Sequence, residues 1–181
     1  MSPTEVLKHE HKIVLMVLEG AEKIAKKIKE TGYADIENIE KFIDFSRHFT
    51  DGCHHTKEEK HLFPKMAENG FSPDSGPIAV MLMEHVQGRR LIAQIEENMK
   101  SVKNGDELKK GDLADSILLY VGLLDNHIQK ENNILFNMAD RILSPGVQAE
   151  LSDAFDKVEA EEVGAGVHER YHQWAHEIAA K

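Results

Sequence analysis

Apolar residues recur along this chain three and four apart, the spacing of one helix face, and β-branched alternation of the strand kind is absent. Ser2-Pro3-Thr4-Glu5 reads as a helix start, with Ser at the N-cap, Pro at the first helical position and Glu at the third. The stripe Leu7, Val14, Leu18, Ala21, Ala25, Ile28 follows, and Thr31-Gly32 ends it. A second helix is predicted from about Asp35 to Glu68, with kinks possible at Gly52 or Pro64. The segment Ser72-Pro73-Asp74-Ser75-Gly76-Pro77 is the clearest break in the chain. A third helix carries Ile78, Leu82, Ile92, Ile95 and Met99 on one face and closes at Asn104-Gly105. A fourth spans roughly Asp112 to Leu143. Ser144-Pro145 stops it and caps a fifth, with a break possible at Gly164-Ala165-Gly166. The fold class this predicts is all-α: an up-and-down four-helix bundle over about 3–143, with an additional C-terminal helical segment over about 145–180, together one domain over 1–181.

Composition narrows the function classes. A formal charge of −10 disfavours a nucleic-acid partner. No apolar run approaches the roughly 18 residues of a membrane span, and no basic-then-apolar leader opens the chain, so a cytoplasmic location is the expectation. The single cysteine, Cys53, excludes an internal disulfide and an all-thiolate metal site. Histidine is the unusual count, with 11 copies, and it is the commonest metal ligand.

The histidines fall in a repeat. His54-x-x-x-Glu58 recurs 73 residues later as His127-x-x-x-Glu131, with Lys57 matched by Lys130, Leu62 by Leu135 and Phe63 by Phe136. Glu10-His11 recurs as Glu84-His85 at an offset of 74. Each half is thus one helix with a lone histidine and one with His-x-x-x-Glu, and the Ser72–Pro77 break falls between the halves.

Residues four apart share a helix face, so each His and Glu can reach one point in a helical core. Imidazole offers a neutral nitrogen; a carboxylate offers two oxygens that can bridge two cations and offset their charge. His11, His54, Glu58, His85, His127 and Glu131 therefore make a candidate dinuclear set, suited to iron, manganese or zinc. His11 continues its core stripe and His85 falls between Leu82 and Ile92, whereas His9 lies about 200° round from His11 and should face outward. The repeat selects His54/Glu58 over His55/Glu59, which is out of step with the following Leu-Phe pair and is expected on the neighbouring face. Buried glutamates of this kind would cost several kcal/mol without a cation.

The strings Cys53–Pro64 and His127–Phe136, with Glu10-His11 and Glu84-His85, resemble the hemerythrin-like (HHE) cation-binding family over about residues 4–140. The resemblance implies two iron ions joined by an oxo or hydroxo bridge, both glutamates bridging, and two of the four histidines on each iron. Oxygen-carrying members use five histidines and this repeat supplies four, so each iron would keep an open position. His168 is the preferred candidate to fill one; it begins the series His168, His172, His176 at i, i+4, i+8, a spacing that equally describes an amphipathic helix capping the bundle. Tyr120, two turns before His127, reads as a hydrogen-bond donor near the site, a pocket wall or ordinary core.

The function expected is a non-haem di-iron protein that binds or reacts with a small oxidant: dioxygen, peroxide or nitric oxide. The competing expectation is a non-enzymatic oxygen or iron carrier, or a sensor whose C-terminal helix responds to metal loading. The pattern leaves open whether the chain is an enzyme.

Overall fold

In a computed structural model, which describes residues 1–163 and 167–180, the regular elements among the described residues are all helices. Helix α1 is Pro3–Thr31. Its first turn carries the expected capping box, Ser2 accepting from the Glu5 amide while Glu5 accepts from the Ser2 amide. Gly32 ends it in the left-handed region at φ 72°, its N–H donating to the Ile28 carbonyl. Helix α2 runs unbroken over 36–68, from the Asp35 cap. Helix α3 is Gly76–Lys103, and α4 covers 109–142. The C-terminal segment is two helices: α5, Pro145–Val158 with a wider extension Glu159–Val163, and α6, Val167–Ala179.

Neither Gly52 nor Pro64 breaks α2. Instead the backbone opens into wide i→i+5 turns over Ser46–His55 and Glu58–Leu62 before tightening again at Phe63–Glu68. In α4 the same widening covers Glu131–Leu135. The segments beginning at Glu58 and at Glu131 are repeat equivalents, so the backbone irregularity is duplicated along with the residues. Such wide turns concentrate at functional positions.

Two apolar clusters flank a polar belt. One gathers Ile13 to Ile28 of α1, Ile39 to Phe49 of α2, Ile92 to Val102 of α3 and Leu113 to Ile128 of α4. The other gathers Leu7, Leu62, Phe63, Met66, Ile78, Met81, Leu135 and Phe136 with Leu151 and Phe155 of α5. Along α1 and α3 the chain passes from the second cluster to the first; along α2 and α4 it returns. Each crossing passes through the belt, where Glu10, His11, His54, His55, Glu58, His85, His127 and Glu131 are all buried.

Helix α6 lies along α1, with Ala175 and Ile178 joining the first cluster. Gly20 makes that approach possible: a Cβ there would stand 2.6 Å from Ile178 Cγ1 and 2.9 Å from its carbonyl oxygen. The Tyr171 hydroxyl donates to Asp44 and the Trp174 indole N–H to Asn38, tying α6 to α2 as well. No helix among the described residues is long and apolar enough to cross a membrane.

Candidate metal centre

The four helices bring the six ligands expected from the repeat into one buried cluster. His11, His54, Glu58 and Glu131 form one group, with donor atoms all within 4.8 Å of each other; His55, Glu58, His85 and His127 form a second, sharing Glu58. The carboxylates span the two groups. Glu58 places Oε1 3.5 Å from His54 Nε2 and Oε2 3.5 Å from His85 Nε2. Glu131 places Oε2 3.2 Å from His11 Nε2 and Oε1 3.2 Å from His127 Nε2. Each carboxylate thus offers one oxygen to each histidine group.

The member not expected from the sequence is His55. It is buried, not on a neighbouring face, and its ring stacks on that of His85 with centroids 3.8 Å apart. In a regular helix His54 and His55 would point about 100° apart; the wide turn ending at His55 turns both imidazoles inward. A glycine inside a helical run at Gly52 and an acid four residues before His55 were the available signals. Among the described residues α2 thus places a fifth histidine at the cluster. The side chain of His168 lies outside the described residues. His9 is exposed, as expected, and stacks on His172 of α6.

The hydrogen bonds set the tautomers. His54 donates from Nδ1 to Glu10 (2.8 Å), His127 to Glu84 (2.9 Å), His85 to Glu59 (2.7 Å), His11 to Asn132 (2.8 Å) and His55 to Asp51 (3.2 Å). With the proton on Nδ1, each Nε2 carries a lone pair, in the pattern usual for metal-binding histidine. Yet His11 Nε2 and His54 Nε2 stand 2.9 Å apart, and His85 Nε2 and His127 Nε2 3.1 Å apart. Paired lone pairs at that distance repel unless a cation lies between them. All four oxygens of Glu58 and Glu131 are likewise buried without a hydrogen-bond partner. Buried polar atoms normally have partners, so the residues fit a pair of bound cations.

In a cation-free pocket protons must take the cations' place. Burial, and then the charge of Glu131, push the Glu58 carboxyl well above the usual carboxylate range. Burial acts the same way on Glu131, but His127 and His11 outweigh it and hold that carboxyl low. Burial also depresses His54, to about 4, and holds His55 well below the ordinary imidazole range. His127 is raised despite burial, because Glu131 and Glu84 face it. Metal binding therefore displaces protons from the cluster.

Lysines support the carboxylates behind the histidines. Lys57 binds Glu10, and Lys130 binds Glu84. Burial opposes the Glu10 charge, but His54 and Lys57 hold its carboxyl at about 2. Cys53, beside Lys57, is fully buried, and burial pushes its thiol up to about 12, so it is an inert packing residue. A cavity of about 130 Å³ reaches the cluster from one side, where His55, His85 and His127 line it with Gly88 and Ile92. Tyr120 is one of its walls; the ring is buried, meets Phe42 edge-on, and burial raises its hydroxyl above the ordinary phenol range.

Helices that cross a shared belt of buried histidines and carboxylates define a cation-binding helical protein. The profile of the hemerythrin HHE cation binding domain matches residues 2–139, and the chain belongs to that family. It is also similar to uncharacterized proteins of Mycobacterium bovis and Mycobacterium tuberculosis, at 19% identity over 160 residues, which is 88% of this chain. The chain spans 62% of the length of those relatives.

Proposed function

We propose that this chain is a non-haem di-iron protein that binds or reacts with a small oxidant, with α1–α4 as an up-and-down four-helix bundle and α5–α6 packed outside it. The observation that carries this reading is the pair of buried, unpartnered carboxylates spanning two histidine groups. Mixed imidazole and carboxylate donors in a helical bundle suit iron. Two irons, when bound, supply redox chemistry toward dioxygen, peroxide or nitric oxide. The protein's own contribution is unequal donor sets. His55, His85 and His127 serve one position and His11 and His54 the other, with both carboxylates common to the two. The two-histidine position has one protein donor fewer, which leaves it room for an exogenous ligand. The cavity of about 130 Å³ lies on the other side, against His55, His85 and His127, and gives a small molecule its approach to the cluster from there. The single buried cysteine and the absence of disulfides suit a reducing cytoplasm.

Metal analysis with an ultraviolet–visible spectrum tests this. Two irons per chain, with charge-transfer absorption after air exposure, are expected; a protein that stays colourless after anaerobic iron loading and aeration overturns it. Peroxide decay by the iron-loaded protein would mark turnover, and reversible oxygen binding without it a carrier. A sensor reading is favoured by one contact: Glu159, at the end of α5, lies 3.6 Å from Lys57, which leads through Glu10 to His54. It predicts that iron loading alters protease sensitivity of the C-terminal segment.

A further inference from the structure

Arg89 follows His85 by one helical turn on α3 and reaches across to α2. Its Nε and Nη2 donate to one oxygen of Asp51 at 2.8 and 2.7 Å, and Nη2 also donates to one oxygen of Glu59 at 2.7 Å. Asp51 and Glu59 stand one turn before and one turn after His55. The same two oxygens accept the Nδ1 protons of His55, at 3.2 Å, and of His85, at 2.7 Å. One guanidinium fork thus holds both acceptors that orient the stacked pair His55 and His85.

The repeat built this device once. At the offsets that superpose the halves, Asp51 corresponds to Leu124, His55 to Ile128, Glu59 to Asn132 and Arg89 to Leu15. On that side His11 leans on the neutral amide of Asn132, and among the described residues no guanidinium stands behind it. A carboxylate acceptor raises the basicity of the imidazole it binds, and a fixed ring loses less freedom when it takes a metal.

We propose that Arg89 is a positioning residue for one cation of the pair: by gripping Asp51 and Glu59 it fixes His55 and His85, and the three-histidine position therefore takes its cation first and more tightly than the two-histidine position. This rests on the two-cation reading above. Charge alone predicts the opposite sign, since a guanidinium near bound cations repels them. Positioning and electrostatics are therefore separable by experiment.

The test is an anaerobic calorimetric titration of the metal-free full chain with ferrous iron. Wild type should bind in two resolved steps. Arg89→Met should weaken the tighter step about tenfold, in the range for outer hydrogen-bond partners of a metal ligand, and leave the weaker step unmoved. Arg89→Lys keeps the charge but loses the rigid fork whose Nε and Nη2 reach Asp51 and Glu59 together, and should lose as much. Glu59→Gln, which keeps an acceptor for His85 and removes the charge Arg89 grips, reads the same linkage should Arg89→Met not fold, and should weaken the same step. Tighter binding by Arg89→Met, equal weakening of both steps, or no change while wild type takes up two irons overturns the role of Arg89 and leaves the two-cation reading standing. A wild-type chain that takes up no iron removes both.

Discussion

His54 and His127 occupy equivalent points of the repeat, and each gives its Nδ1 proton to a glutamate that is itself bound to a lysine: Glu10 with Lys57 on one side, Glu84 with Lys130 on the other. The chemistry is the same and the surroundings are not. Lys57 is 0% exposed, lying over the ring of Phe155 and within reach of Glu159, so α5 closes the first relay from solvent. Lys130 is 38% exposed. A duplicated unit gave two identical sets of bonds; the unduplicated C-terminal segment changed the dielectric around one of them. The difference teaches that equivalent contacts can contribute unequally, because charge interactions strengthen, and desolvation costs rise, as water is excluded.

The largest expected effect lies where the halves join. Glu58 presents one oxygen to each histidine group, so Glu58→Leu should remove both cation positions together, and with them any rise in melting temperature on iron addition. The metal-free variant should be more stable than metal-free wild type, by about 1–3 kcal/mol, because a buried acid with no partner has been replaced by an apolar side chain. Thermal melts with and without iron check both signs. Retention of one full-affinity iron would mean that the halves are independent, and would break the comparison at its root.

Next in size is the relay that α5 seals. Lys57→Met removes the cation facing a buried carboxylate, and loss of one partner of a buried pair costs about 3–5 kcal/mol. A pH signature accompanies it. Glu10 is held at about 2, below its ordinary value of 4.5, so it contributes stability that is fully present above about pH 4.5 and is lost as pH falls toward 2. Lys57→Met takes away one of the groups that hold Glu10 down. The acid-unfolding midpoint of the metal-free protein should therefore move to higher pH, as followed by circular dichroism. An unchanged midpoint would mean that His54 alone holds Glu10.

Much of this was legible in the chain itself. The repeat brought out Glu10-His11, His54, Glu58, Glu84-His85, His127 and Glu131 because duplicated spacing is preserved whatever the backbone does locally. Helix ends at Ser2-Pro3, Thr31-Gly32 and Ser144-Pro145 were readable because caps are local chemistry. His55 was not readable, since regular helical geometry turns it away from His54 and only the wide turns bring it in. Nor was the role of Arg89, whose partners Asp51 and Glu59 lie on another helix. The burial of Lys57 depends on where α5 packs, and hydrophobic periodicity gives a helix its face without naming its neighbour.

Lys130→Met is the smallest expected effect and the control for the comparison. Its side chain is partly in water, and exposed or half-exposed ion pairs contribute about 0–1 kcal/mol, screened further by salt. Glu84 keeps His127 as a partner and can recruit solvent when the lysine is gone, whereas Glu10, sealed under α5, cannot. Chemical denaturation of the metal-free variants at low and high salt should therefore show a loss below about 1 kcal/mol for Lys130→Met that shrinks with salt, and a loss for Lys57→Met that salt leaves in place. Equal losses would show that the bond, and not the burial supplied by α5, sets the energy of each relay.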